Sequence, residues 1–164
     1  MSRLDSFIRR MQAQRTCLDA AAAMIDDVPG AVLELGLGNG RTYDHLREIL
    51  PGRDIYVFDR RVKAHPDCIP PDDHLFLGEV TDTLPMAAAK LGPSVALIHT
   101  DLGTGEVEAN AALAASVGPL LAPLLCRGGV CVANHALSVP GWVPLPEPQG
   151  VAPGRYYLYQ VAEG

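Results

Sequence analysis

The sequence predicts an α/β fold built on a parallel sheet, and three observations carry that prediction. Short apolar, β-prone runs alternate with longer stretches of helical periodicity between residues 31 and 133. The first run breaks through glycines directly into a helical pattern. The first two runs are then joined by a helix of about a dozen residues, a crossover that closes right-handed and leaves its strands parallel. At 164 residues the chain has the size of one domain with its own core.

Composition narrows the function. Hydrophobic residues make up 48% of the chain and charged residues 20%, a globular rather than a disordered balance. Net charge is −6 with no long Lys/Arg run, which disfavours nucleic acid as a partner. No apolar run approaches the roughly 18–20 residues that a membrane span needs. The mixed start Met1-Ser2-Arg3-Leu4-Asp5 does not read as a signal peptide, and none is expected. Cys17, Cys68, Cys126 and Cys131 form no C-x-x-C pair, so reduced thiols and a cytoplasmic location are expected.

Residues 1–28 form an N-terminal helical segment. Residues 2–27 lack Gly and Pro, and Leu4, Phe7, Ile8, Met11, Leu18, Ala22 and Ile25 keep helical spacing, broken once at Gln14-Arg15. That break leaves open whether there is one helix or two. Ser2 with Asp5 reads as a capping box, and Pro29-Gly30 stops the segment.

Residues 31–136 form the core. Val32, Leu33 and Leu35 give the first strand, Gly36, Gly38 and Gly40 the turn, and residues 41–50 the first crossover helix, ended by Pro51-Gly52. Residues 55–58 are the second strand, with Asp59 at its carboxyl end. Pro66, Pro70 and Pro71 make residues 60–73 mostly irregular. Residues 75–77 form a short third strand running into Gly78-Glu79-Val80, and residues 81–91 a helix. Residues 95–98 form the fourth strand, running into His99-Thr100-Asp101. Residues 106–125 are helical, with Gly118-Pro119 expected to kink or split them. Gly128-Gly129 opens the fifth strand, residues 128–133, with Asn134 and His135 at its end. Residues 137–164 hold a proline-rich loop and a last strand, residues 155–161, with Trp142-Val143 as its short partner.

The site follows from the turn. A strand that enters a helix through glycines presents backbone N–H groups and a positive dipole end at one point. The dinucleotide pattern G-x-G-x-x-G needs glycine where Arg41 stands, whereas E-x-G-x-G-x-G fits Glu34, Gly36, Gly38 and Gly40 at every fixed position. An acid before the first glycine suits a ligand with a cationic amino group. Asp59, 19 positions after Gly40, stands where an acid can accept from both ribose hydroxyls.

This stretch resembles motif I of the class I S-adenosylmethionine-dependent methyltransferases, and the resemblance covers residues 31–136 well. It implies a three-layer αβα Rossmann-like methyltransferase fold with strand order 3-2-1-4-5 and an antiparallel terminal strand. The family usually has a helix before an antiparallel final hairpin. The prolines of residues 140–153 leave no room for one, so the C-terminus is expected to be trimmed. The implied cofactor is S-adenosyl-L-methionine, held by Glu34, Gly36, Leu37, Gly38, Asn39, Gly40, Thr42, Asp59, Arg60, Gly78, Glu79, Val80 and Thr100. Of these, Glu79 and the Val80 N–H would take the adenine. An N-terminal helix in such a fold packs beside the cofactor crevice and often roofs it.

Methyl transfer from a sulfonium is an in-line displacement, so holding the acceptor in line supplies much of the acceleration. A base helps only where the acceptor must lose a proton. His99, Asp101 and His135 follow two strands that should be neighbours, and they are the expected catalytic and acceptor-lining residues. Asp101, Asn134 and His135 also fall near the metal position of catechol-type methyltransferases. There Asn134 replaces the usual acid and His135 the usual amide, so no metal is expected. The leading reading is methyl transfer to a small-molecule acceptor, with a homo-oligomer neighbour able to supply a missing wall. The alternatives are a nicotinamide-dependent oxidoreductase and a non-catalytic S-adenosylmethionine-binding module.

Overall fold

The computed structural model describes residues 1–103 and 105–162. In chain order the elements are α1 (Arg3–Met24), β1 (Ala31–Leu35), α2 (Arg41–Ile49), β2 (Ile55–Asp59), two 3-10 turns (Pro66–Cys68 and Asp72–His74), β3 (Leu75–Leu77), α3 (Val80–Leu91), β4 (Val95–Thr100), α4 (Val107–Leu121), β5 (Leu125–Ala133), β6 (Trp142–Leu145) and β7 (Tyr157–Val161). One seven-stranded sheet runs in the order β3-β2-β1-β4-β5-β7-β6. Strands β1 to β5 are parallel, and β7 is antiparallel to both β5 and β6. The predicted order 3-2-1-4-5 and the antiparallel terminal strand are both present. Among the described residues no helix stands between β5 and β6.

Alternating side chains divide the core between the two faces of the sheet. Val32, Val57, Leu97 and Val130 pack with Cys17, Leu18 and Ala21 of α1 and with Leu46 of α2. Leu33, Phe58, Ile98 and Cys131 pack on the other face with Leu84 of α3 and Leu121 of α4. The result is three layers.

The N-terminal segment is one helix. Ser2 Oγ accepts from the Asp5 N–H at 3.0 Å and the Ser2 N–H donates back to the Asp5 carboxylate at 3.2 Å, the predicted capping box. No basic residue lies in its last turn. Instead Arg53, from the loop before β2, donates to the carbonyls of Ile25 and Val28 at 2.8 Å and of Gly30 at 2.9 Å. One guanidinium thus closes the helix end and fixes the entry into β1.

Two expectations need correction. The split expected at Gly118-Pro119 is absent: α4 runs as one helix from Val107 to Leu121 with Pro119 in its last turn, so little helix follows the proline. β4 runs two residues further than expected. His99 and Thr100 are paired on both sides, with Glu34 and Leu35 of β1 and with Val132 and Ala133 of β5, so they lie inside the sheet rather than beyond it.

Candidate functional site

The chain leaves β1 towards β2 and β3 on one side and returns to β4 and β5 on the other. A crevice opens at the carboxyl ends of strands where such an order reverses. Here it is a cleft of about 610 Å³, within the usual size range of small-molecule sites.

Its floor is the loop between β1 and α2. Gly36 has φ +90°, and a Cβ there would lie 2.6 Å from the Asp101 carbonyl oxygen, so only glycine lets β1 pass the β4 exit this closely. Gly40 is the N-cap of α2, with φ +87°. A Cβ on it would lie 2.4 Å from Cys68 Cβ, in the turn after β2. Gly40 therefore packs the loop from behind and does not line the cleft.

Asp59 closes the loop from β2. Its Oδ2 accepts from the N–H of Leu37 at 2.9 Å and of Gly38 at 3.2 Å, and its Oδ1 from the N–H of Arg60 at 2.7 Å. One carboxylate therefore orders both the glycine loop and the β2 exit while facing the cleft. Arg60 and Glu79 face each other across the mouth at 3.8 Å, an exposed pair that adds little stability. At the β4 end Asp101 accepts from the Gln14 side-chain amide of α1 at 3.0 Å, which ties the helix over the cleft.

The cleft gathers Gly36, Leu37, Gly38, Asn39, Thr42, Asp59, Arg60, Glu79, Val80 and Asp101. Six of the sequence-predicted residues stand elsewhere. Gly40 packs on Cys68, and Gly78 donates its backbone N–H to the Asp59 carbonyl at 3.0 Å. Thr100 is buried on the α4 side.

Glu34 and His99 are 0% exposed and joined from Nδ1 to Oε1 at 2.6 Å. They are register partners on adjacent strands, so both point to the same face, under α1, and neither meets the cleft. Burial pulls the His99 pKa down, but the charge and hydrogen bond of Glu34 outweigh it and the net shift is upward. Among the described residues, Glu34 Oε2 and His99 Nε2 have no hydrogen-bond partner. His135 lies behind the cleft wall, its Nε2 close to Gly103, in a separate groove along α4 with Ala111 and Ala114. The two histidines thus do not share one crevice. Asn134 donates its amide to the Leu102 carbonyl at 2.9 Å and holds the β4–α4 loop. Among the described residues no cluster of three His, Cys, Asp or Glu side chains is placed to hold a metal.

Sequence reasoning did not single out Arg10, Met11 and Gln14 of α1, or Leu102, Asn110 and Leu113 near α4, all of which line the cleft. Two signals were present. The break in apolar spacing at Gln14-Arg15 marks where α1 turns polar towards the cleft, and Asn110 is a lone amide in an alanine-rich helix.

The donor set fits a nucleoside sulfonium bearing an amino acid. Carboxylates stand at three positions along the cleft, Asp59, Glu79 and Asp101, with the guanidinium groups of Arg10 and Arg41 at its α1–α2 side. A family model for S-adenosyl-L-methionine methyltransferases matches residues 1–161. The chain is similar to an S-adenosyl-L-methionine methyl transferase from Silicibacter pomeroyi DSS-3 of known crystal structure. Identity is 44% over 99% of each chain, with a TM-score of 0.94. Two solved structures share the fold alone. The human methyltransferase-like protein 13 in complex with SAH is 13% identical over 94% of this chain and 82% of that one, with a TM-score of 0.58. The antibiotic-resistance methyltransferase Kmr is 14% identical over 87% and 91%, with a TM-score of 0.55. A comparison with curated proteins finds no match.

Proposed function

The chain belongs to the S-adenosyl-L-methionine methyltransferase family, and from that premise we propose that it methylates a small-molecule acceptor held at the β4 side of the cleft. S-adenosyl-L-methionine is its cofactor, and membership of the family sets aside the nicotinamide-dependent alternative. When bound, the cofactor supplies an electrophilic methyl carbon on sulfur.

The observation that carries the reading is the order of groups along the cleft. Glu79 and the Val80 backbone lie at the β3 end, Asp59 and the loop amides in the middle, and Asp101 with Arg10 and Gln14 at the β4 end. In this reading Glu79 and Val80 take the base and Asp59 the ribose, while Asp101 takes the cationic amino-acid end. Asp59 is well suited to its part, because the amides it accepts fix its carboxylate before any ligand arrives. Asp101, Asn110 and Leu113 border the acceptor side. Catalysis then rests on holding the acceptor in line with the methyl carbon while α1, tied by Gln14 to Asp101, limits access of water.

The small-molecule reading is supported by how little chain stands over the cleft, namely α1 and the start of α4. A cytoplasmic location is supported by four free cysteines, and no helix among the described residues is long and apolar enough to cross a membrane. The test is incubation with methyl-labelled S-adenosyl-L-methionine and a cell extract separated into metabolite, protein and RNA fractions. Label should enter the metabolite fraction. Label confined to protein or RNA would overturn the small-molecule reading.

A further inference from the structure

A second groove, of about 530 Å³, lies between the first half of α1 and the start of α2. Leu18, fully buried, is part of its floor, and Phe7, Ile8 and Met11 form one wall. Phe7 and Ile8 are each 43% exposed and, with Met11, present adjoining apolar surface along one side of the groove.

The groove is charged at its edges. Arg15 and Arg41 border it, and neither makes an ion pair with a carboxylate among the described residues. Its third basic group, His45, is already matched by Asp19 at 2.7 Å. Arg41 sits over the Phe7 ring, 5.9 Å from its centroid, so its charge stands directly against the apolar wall. Arg41 also donates to the Asn39 side-chain oxygen at 2.8 and 3.1 Å, a neutral partner that leaves its charge in place, so two guanidinium groups beside an apolar groove favour an anion. The groove adjoins the cofactor cleft, since Met11, Gln14, Arg41 and Thr42 border both.

We infer that this groove extends the acceptor site, whose reacting end is at the β4 side of the cleft, and that it takes the body of an amphipathic organic acid. Its apolar body rests on Phe7, Ile8 and Met11 and its anionic group on Arg15 and Arg41, while its reactive end passes Met11 into the cleft. The inference rests on the reading of the cleft as the cofactor site. Charge argues against a second copy of this chain as occupant. Residues 1–15 carry four arginines and a single aspartate, so a partner's α1 laid in the groove would bring arginines towards Arg15 and Arg41.

The test uses the intact chain, S-adenosylhomocysteine (SAH), and three probes: octanoate, its neutral amide and 4-phenylbutyrate. SAH binding is measured first by calorimetry, then binding of each probe to the SAH complex, with sedimentation to record the oligomeric state. The variants are Ile8→Glu and Arg15→Gln, both at exposed helix positions and both good helix formers. One or both acids should bind, with octanamide about tenfold weaker than octanoate. Ile8→Glu should weaken the acids about tenfold or more and Arg15→Gln about fivefold, with SAH affinity within about threefold in both. Amide and acid binding alike, or acid binding unmoved by Ile8→Glu, would overturn the inference. So would a dimer that Ile8→Glu dissociates in a protein that binds neither acid. A wild-type chain that does not bind SAH overturns the cleft reading itself, whereas SAH binding with no acid binding removes the groove assignment alone.

Discussion

Glu34 illustrates how one residue of a ligand-binding motif can be used inside the fold instead. Its carboxylate and the His99 ring are a fully buried pair, and two of their polar atoms lack partners among the described residues. Such a pair is weak evidence for net stability, but removing one partner leaves the other stranded. Glu34→Leu alone should therefore destabilise the chain by about 3–5 kcal/mol in urea unfolding, while Glu34→Leu with His99→Leu recovers most of the loss. The pH dependence has a definite sign. The folded His99 pKa lies above its ordinary 6.5, so the pair's contribution is complete below about that pH and is lost as pH rises through the folded value. The stability gap between wild type and the double variant should shrink as pH is raised above neutral, with the urea midpoint as the readout. Asp59 makes the complementary case. It orders the glycine loop as well as facing the cleft, so Asp59→Ala should lower SAH affinity by about 1.5–3 kcal/mol and lower the thermal midpoint too. A purely ribose-binding residue would change only the first. Asp59, Glu79 and the Gly36–Gly38 loop could be placed from sequence because each follows a clear strand. Glu34 and His99 could not, because their burial depends on the β1–β4 register and on a helix more than ten residues upstream.

At the scale of elements, α1 has two halves with different tasks. From Ala13 onward it packs on the sheet, and before that it stands beside the cleft and the groove with Leu4, Phe7 and Ile8 exposed. The interruption at Gln14-Arg15 is legible in this light, since Gln14 reaches Asp101 and Arg15 borders the groove. Periodicity alone could not tell this functional change from a helix break. The far end of α1 depends on Arg53, whose three bonds to carbonyls stand in for a C-terminal cap. Arg53→Met should lower unfolding free energy by about 1.5–3 kcal/mol, as for hydrogen bonds from a charged donor. SAH affinity should stay within about threefold, because Arg53 lies at the opposite end of the strands from the cleft. The strand order and the antiparallel hairpin at the C-terminus were both expected from sequence. The length of β4 was not, because the polar pair His99-Thr100 resembles an exit from the sheet, whereas pairing with both β1 and β5 keeps it in.

Across the whole molecule, the sheet order places β1 beside both β2 and β4 and so brings Asp59, Glu79 and Asp101 to one edge from positions 20 and more residues apart. The histidines fall outside that edge, His99 under α1 and His135 behind Gly103. In the proposed reading, positioning within the cleft carries the mechanism, with Asp59 as its fixed point. Calorimetric titration of the intact chain with SAH, and separately with NAD⁺, tests this most directly when repeated on Asp59→Ala. The account predicts saturable one-to-one binding of SAH, weakened about tenfold or more by the substitution, and no response to NAD⁺. A chain that binds NAD⁺ and not SAH, or one whose folded Asp59→Ala variant binds SAH as tightly as wild type, would contradict it.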